Sequence, residues 1–213
     1  VLGAAPLDEA QLVAAVHEAD NVIYQQMHEA GGAPGMGTTI AALLVHDTGI
    51  VAVNIGDSAV LELIDGRLVQ LSFDDVPPGS SWLPGITSAG VTQTLGGRPT
   101  QTRLDPHVYA DSEKGTRRFL LCSDGLTNFV PRSEITAALL AADPNDAVEA
   151  IVDAALATGG QDNITLIVVE SRAPDRLPPE SPTSEAAVGR QHAAKAADAR
   201  VPAQVNIPKD SSE

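Results

Sequence analysis

A chain of 213 residues with 43% apolar side chains can bury one good core, and its net charge of −15 excludes the clustered Lys/Arg surfaces that bind nucleic acid phosphates or anionic lipid. The acidity is uneven: residues 1–170 hold 22 Asp/Glu against 7 Lys/Arg, whereas residues 171–213 hold six of each. The first part therefore attracts divalent cations. Aromatics are only 3%, which predicts an aliphatic core, and the single Cys122 excludes an internal disulfide framework. Cys122 is read as a small buried hydrophobe in a strand.

No apolar run approaches the ~20 residues needed to cross a bilayer, and no basic segment precedes an apolar one at the start, so the expectation is a soluble, cytoplasmic protein without a membrane span. Val1 stands where an initiator methionine would, which points to a chain that begins inside a longer one.

In chain order, apolar residues at Leu12, Val13, Val16, Val22, Ile23 and Met27 predict an amphipathic helix over 7–30, stopped by GGAPGMG. Four short β-rich runs follow, TTIAALLVH, GIVAVNIG, AVLELI and RLVQLS, separated by DTG, GDS and DG; the spacing leaves no room for helical crossovers and predicts an antiparallel meander. Residues 73–90, with three prolines and three glycines, read as a surface loop in which Trp82 is an anchor. VTQTLGG and HVYADS read as shorter extended pieces, and RRFLLCSDG as a strand entering the interior. Two helices come next, one opening at Pro131 and one capped by Asp143 and stopped at Gly159. NITLIVVES returns as a fully buried strand. Six of the fifteen prolines fall between 174 and 213. Residues 172–213 are accordingly expected to be a disordered Pro/Ala/Ser-rich tail behind a domain of residues 1–171.

Three carboxylates sit at predicted strand ends beside Gly or Asn: Asp57 in VAVNIGDSAVLEL, Asp124 in LLCSDGL and Asp162 in GGQDNITLIVV. Unpaired charge at the mouth of an apolar strand is costly. Such groups suit Mg²⁺ or Mn²⁺, which take oxygen ligands. Taken singly, each Asp reads as an Asx-turn or capping residue before a ligand. His28 and His107 read as ordinary surface or packing residues, and no side chain is assigned as a catalytic nucleophile or acid.

In order and spacing, GMGTT, VNIGDSAVL, VTQTLGG, FLLCSDGLTNFV and GGQDNITLIVV resemble the metal-dependent protein serine/threonine phosphatases of type 2C, from about Leu7 to Glu170. The resemblance implies an α+β fold, a four-layer αββα sandwich of two antiparallel sheets flanked by helices, with a Mn²⁺ or Mg²⁺ centre of two or three ions. By motif, Asp124 and Asp162 match family metal ligands, Asp57 matches a residue that shares a further, weaker metal with Asp124, and Asn163 supports Asp162. Gly37 and Thr38 read as a strand-entry turn. The implied partners are phosphoproteins, with a serine/threonine kinase and its substrates as candidates.

The family's phosphate-binding Arg and its DGxGG stretch are absent from these 213 residues. The sandwich is therefore expected without its N-terminal strands, the chain as written is expected to be a poor phosphatase, and exposed sheet edges favour self-association. Two readings compete with the phosphatase: a catalytically inactive module that binds a phosphoprotein, kinase or regulator, and a Mg²⁺-dependent phosphohydrolase acting on small molecules.

Overall fold

Leu12, Val16, Ala19 and Ile23 recur at helical spacing and lay one face of α1 (Glu9–His28) on a sheet, with Val16 2% exposed. A reciprocal capping box starts the helix: the Gln11 N–H donates to Asp8 Oδ1 at 2.8 Å, and the Asp8 N–H donates to Gln11 Oε1 at 3.0 Å. Val22, counted in the predicted apolar stripe, turns outward at 46% exposed. The structure is a computed structural model that describes residues 8–29, 31–46, 49–77, 90–97, 103–113 and 115–172, and the backbone of 205–207.

The four predicted β-runs all form, as β2 (Ile40–His46), β3 (Gly49–Ile55), β4 (Ala59–Ile64) and β5 (Arg67–Gln70), after a two-residue β1 (Gly37–Thr38). They do not make one meander. β2 and β3 pair with each other, and β3 pairs with β7 (His107–Asp111); β4 and β5 belong to a second sheet with β8 (Arg117–Cys122) and β9 (Ile164–Ser171). The chain leaves one layer and enters the other at Gly56–Asp57–Ser58. Every residue of β3 is buried, and a strand covered on both faces must lie between two layers. β1 pairs with β6 (Leu95–Gly96), as a strand-entry element.

The helices on the other side are α2 (Asp124–Thr127), α3 (Arg132–Leu139) and α4 (Pro144–Ala157). Pro131 caps α3 from outside, one residue earlier than its predicted place in the first turn. Asp143 caps α4 by accepting from the Asn145 N–H at 2.7 Å. The layers thus run α1, β2-β3-β7, then the larger sheet, then α3 and α4, which is the expected αββα sandwich. Alternation along the strands sorts two cores. Leu61, Leu120, Leu166 and Val168 face Ile135, Leu139 and Ile151 of the helices, whereas Val53 and Ile55 face Val16. β9 is buried at alternate residues only, through Ile164, Leu166 and Val168, rather than throughout.

Most of the predicted tail lies outside the described residues. Within it, β10 (Val205–Ile207) pairs antiparallel with the edge of β9, Ile207 opposite Ile164. Among the described residues no helix is long and apolar enough to cross a membrane. Trp82 and the rest of 78–89 are likewise outside the described set. Cys122 is buried, as read, opposite Ala59 and Leu166, and burial pushes its thiol up to about 12.

At the end of β8 distant from Asp124, Arg117 locks the two sheets together. Its guanidinium donates to both Glu62 oxygens at 2.6 and 2.7 Å and to both Asp111 oxygens at 2.7 Å, reaching from β8 to β4 in its own sheet and to β7 in the other. Glu62 is 4% exposed, so its charge depends on this partner. The same guanidinium holds the Asp111 carboxyl below its ordinary range. Arg117→Leu is expected to cost about 3–5 kcal/mol in urea unfolding at pH 7. Because the lowered Asp111 stabilises the fold above the ordinary carboxylate range and loses that contribution as pH falls, the gap between wild type and variant should narrow toward pH 3.

Candidate metal centre

Three chain segments meet at the other end of the sandwich. Asp57 lies in the turn that carries the chain from β3 to β4, where Gly56 takes φ +94°, a conformation that glycine adopts at no steric cost. Asp124 follows β8 and opens α2, and Asp162 lies in the turn before β9. All three are partly buried.

Asp124 and Asp162 are brought together by backbone contact. The Ser123 N–H donates to Thr165 O at 3.0 Å, and the Thr165 N–H donates to Ser123 Oγ at 3.1 Å, stitching the end of β8 to the start of β9. Immediately beyond, the backbones crowd: a Cβ on Gly125 would stand 2.2 Å from Asn163 O and 3.3 Å from Asp162 Cβ. Only glycine fits there, which explains the residue after the aspartate.

The electrostatics are those of carboxylates facing one another. Burial and then repulsion from Asp162 raise the Asp124 pKa, opposed by the Gly125 and Asp124 N–H groups and by Asn128, whose Nδ2 donates to Asp124 Oδ2 at 3.1 Å. Asp57 is pushed up to about 6, first by burial and then by repulsion from Asp124, Asp74 and Asp75. Asp124 thus lies within electrostatic reach of Asp162, and Asp57 within reach of Asp124. Among the described residues the three do not close around a single point: no group of three His, Cys, Asp or Glu side chains stands ready to hold one ion. The arrangement is two adjacent pairs that share Asp124. Asn163 supports Asp162 through its backbone, the N–H donating to Oδ1 at 2.8 Å.

Sequence reading passed over two acidic residues that belong here. Asp74 and Asp75 fall in the stretch 73–90 whose sequence predicts a surface loop, yet Asp75 is 5% exposed and accepts from the Gly56 N–H at 2.8 Å. Burial raises Asp74 even though Gln70 Nε2 donates to it at 2.6 Å and Arg132 lies within electrostatic range. The available signal was the DD pair a few residues after β5. His107 is more than a packing residue: its Nε2 lies 2.8 Å from Asp75 Oδ1, and Phe73 packs on its ring at 4.9 Å. His28 is a surface residue, as expected, in the last turn of α1, its Nδ1–H donating to Tyr24 O at 2.8 Å.

The protein phosphatase 2C family profile matches residues 2–158. The serine/threonine protein phosphatase PstP of Mycobacterium tuberculosis is 30% identical over 167 residues, covering 76% of this chain and 32% of that protein. The chain thus spans about a third of that relative's length. A crystal structure of the PstP catalytic domain in complex with two manganese ions superposes with a TM-score of 0.66 at 29% identity, over 79% of this chain and 73% of that one. The serine/threonine phosphatase MsPP of Mycobacterium smegmatis, in complex with cacodylate, gives 0.63 at 29% identity, over 76% and 73%.

Gly125→Ala is expected to destabilise the chain by about 1–3 kcal/mol, the usual range for forcing a methyl into a filled space, as read by urea unfolding. Ser123→Ala, which removes one stitch without adding bulk, should cost less, about 1 kcal/mol.

Proposed function

The chain belongs to the protein phosphatase 2C family, and on that premise we propose that it supplies carboxylate ligands to a Mn²⁺ or Mg²⁺ centre that hydrolyses phosphoserine and phosphothreonine esters in proteins. The observation that carries the reading is that Asp57, Asp124 and Asp162 lie partly buried at the ends of adjacent strands, with repulsion from a neighbouring carboxylate among the causes of the raised pKa of Asp57 and of Asp124.

The donor set fits a hard divalent cation. It consists of oxygens only, and a cation removes the mutual repulsion that otherwise pushes these groups toward protonation. Asp124 and Asp162 would hold one ion, and Asp57 with Asp124 a further, weaker one. When bound, the ions supply Lewis-acid polarisation of the phosphoryl group and activation of water. The chain's own groups do the orienting: Asn128 Nδ2 fixes one Asp124 oxygen and the Asn163 N–H fixes one Asp162 oxygen. The manganese in the PstP structure supports Mn²⁺ as the ion, and the name of the relative, a serine/threonine protein phosphatase, supports phosphoproteins as the substrates.

The 213 residues contain neither the DGxGG stretch nor the phosphate-binding Arg of the family pattern. Two pairs sharing one aspartate leave most of each ion's coordination to other groups. Hydrolysis is accordingly expected only when a segment supplying those motifs is joined ahead of Val1. A second reading is a module that binds phosphoproteins without cleaving them.

In calorimetry, Asp124→Asn should weaken Mn²⁺ binding by more than the roughly 10- to 100-fold typical of losing an outer partner. It should also abolish phosphopeptide hydrolysis by the extended chain. Unchanged affinity and unchanged turnover in that variant would overturn the metal role. An extended chain that binds a phosphopeptide with Mn²⁺ but leaves it intact would establish the binding module instead.

A further inference from the structure

Asp75 is a buried carboxylate, 5% exposed, and two of its contacts grip the turn carrying Asp57. Its Oδ2 accepts from the Gly56 N–H at 2.8 Å, and its own N–H donates to Gly56 O at 3.0 Å, so the residue before Asp57 is held at both of its backbone polar groups. The other oxygen, Oδ1, lies 2.8 Å from Gln93 Nε2 and 2.8 Å from His107 Nε2. The Asp75 carbonyl accepts from the Thr92 N–H at 2.6 Å. Five contacts therefore tie one side chain and its backbone to β7, to the segment before β6 and to the interlayer turn.

A second set of contacts braces the same turn from the strand side. Asn54, 1% exposed on β3, donates through Nδ2 to Phe73 O at 2.5 Å and to Gly56 O at 3.3 Å, and its Oδ1 accepts from the Phe73 N–H at 3.0 Å. The turn itself has a conformation that cannot relax into an ordinary one, since Gly56 is at φ +94° and a Cβ there would meet Thr39 Cγ2 at 2.3 Å. A glycine turn without such a brace samples many states. Here it is fixed by a group that can only accept, which is what a carboxylate provides.

We propose that Asp75 is the positioning residue for Asp57: by gripping Gly56 from both sides, and being itself gripped by Gln93 and His107, it holds the Asp57 carboxylate facing Asp124 so that the weaker ion is bound between them. This rests on the metal reading of Asp57 and Asp124. Asparagine cannot replace it, because its amide N–H₂ would confront either the Gly56 N–H or the two side-chain donors on the other oxygen. A carboxylate serving only to brace the loop would affect stability and leave the ions' affinities in their original ratio. A positioning residue acts on one ion selectively.

The test is Mn²⁺ titration calorimetry on the full chain, fitted for the tighter and the weaker ion, with thermal midpoints recorded alongside. Asp75→Asn is expected to weaken the weaker ion about 10- to 100-fold and to leave the tighter one within about twofold. Because Asp75→Asn also removes a charge, Gln93→Leu provides a charge-neutral comparison that takes away one of the two donors on Oδ1. It should weaken the same ion several-fold, and it carries the test if Asp75→Asn does not fold. Asp57→Asn is the control. Loss of the weaker ion in Asp57→Asn, with both ions intact in the folded Asp75 and Gln93 variants, overturns the positioning role and leaves the metal reading standing. No loss in Asp57→Asn, or no Mn²⁺ binding by the wild-type chain, overturns the metal reading and this inference with it.

Discussion

The approach of two backbones at Gly125 and Asn163 is the constraint on which the acidic end of the sandwich depends. With 2.2 Å between Asn163 O and the place a Cβ would occupy, the β8–α2 corner can lie on the turn before β9 only because residue 125 has no side chain. The two Ser123–Thr165 hydrogen bonds hold that approach, and Asp124 and Asp162 become neighbours as its by-product. The charges did not choose their proximity. The stacking of strands, stabilised by Leu120, Leu166 and the helices behind them, imposes it.

The same strand treats acidic groups in opposite ways at its two ends. At its beginning, Arg117 satisfies Glu62 and Asp111 with four short hydrogen bonds and ties the sheets together. Past its far end, Asp124 meets Asp162 with amide donors as the lowering influences, and burial raises its pKa. One end spends its polar groups on stability. The other leaves them in tension, which is how a fold reserves binding capacity for a ligand.

Much of this was legible in the sequence because local rules decide it. The helical spacing of α1, the Asp143 cap on α4 and the β-rich runs follow from side-chain period and turn chemistry. What could not be read was which strand lies beside which. The short GDS connection between β3 and β4 has the length of a hairpin, yet it passes from one layer to the other. Only the burial of β3 on both faces, a tertiary property, reveals the difference. For the site, Asp57, Asp124 and Asp162 were conspicuous because each ends or begins an apolar run. Asp75 was not, since its meaning depends on Gly56, Gln93 and His107, which are 18 to 32 residues away in the chain.

Cys122 offers the experimenter something unplanned. As the chain's single thiol, buried between Ala59 and Leu166 at the Asp124 end of the larger sheet's central strand, it is out of reach of an alkylating reagent until those strand ends separate. The rate of covalent labelling in unmodified protein is therefore a clock for sheet opening, with one chromophore per molecule and no engineered background to correct for.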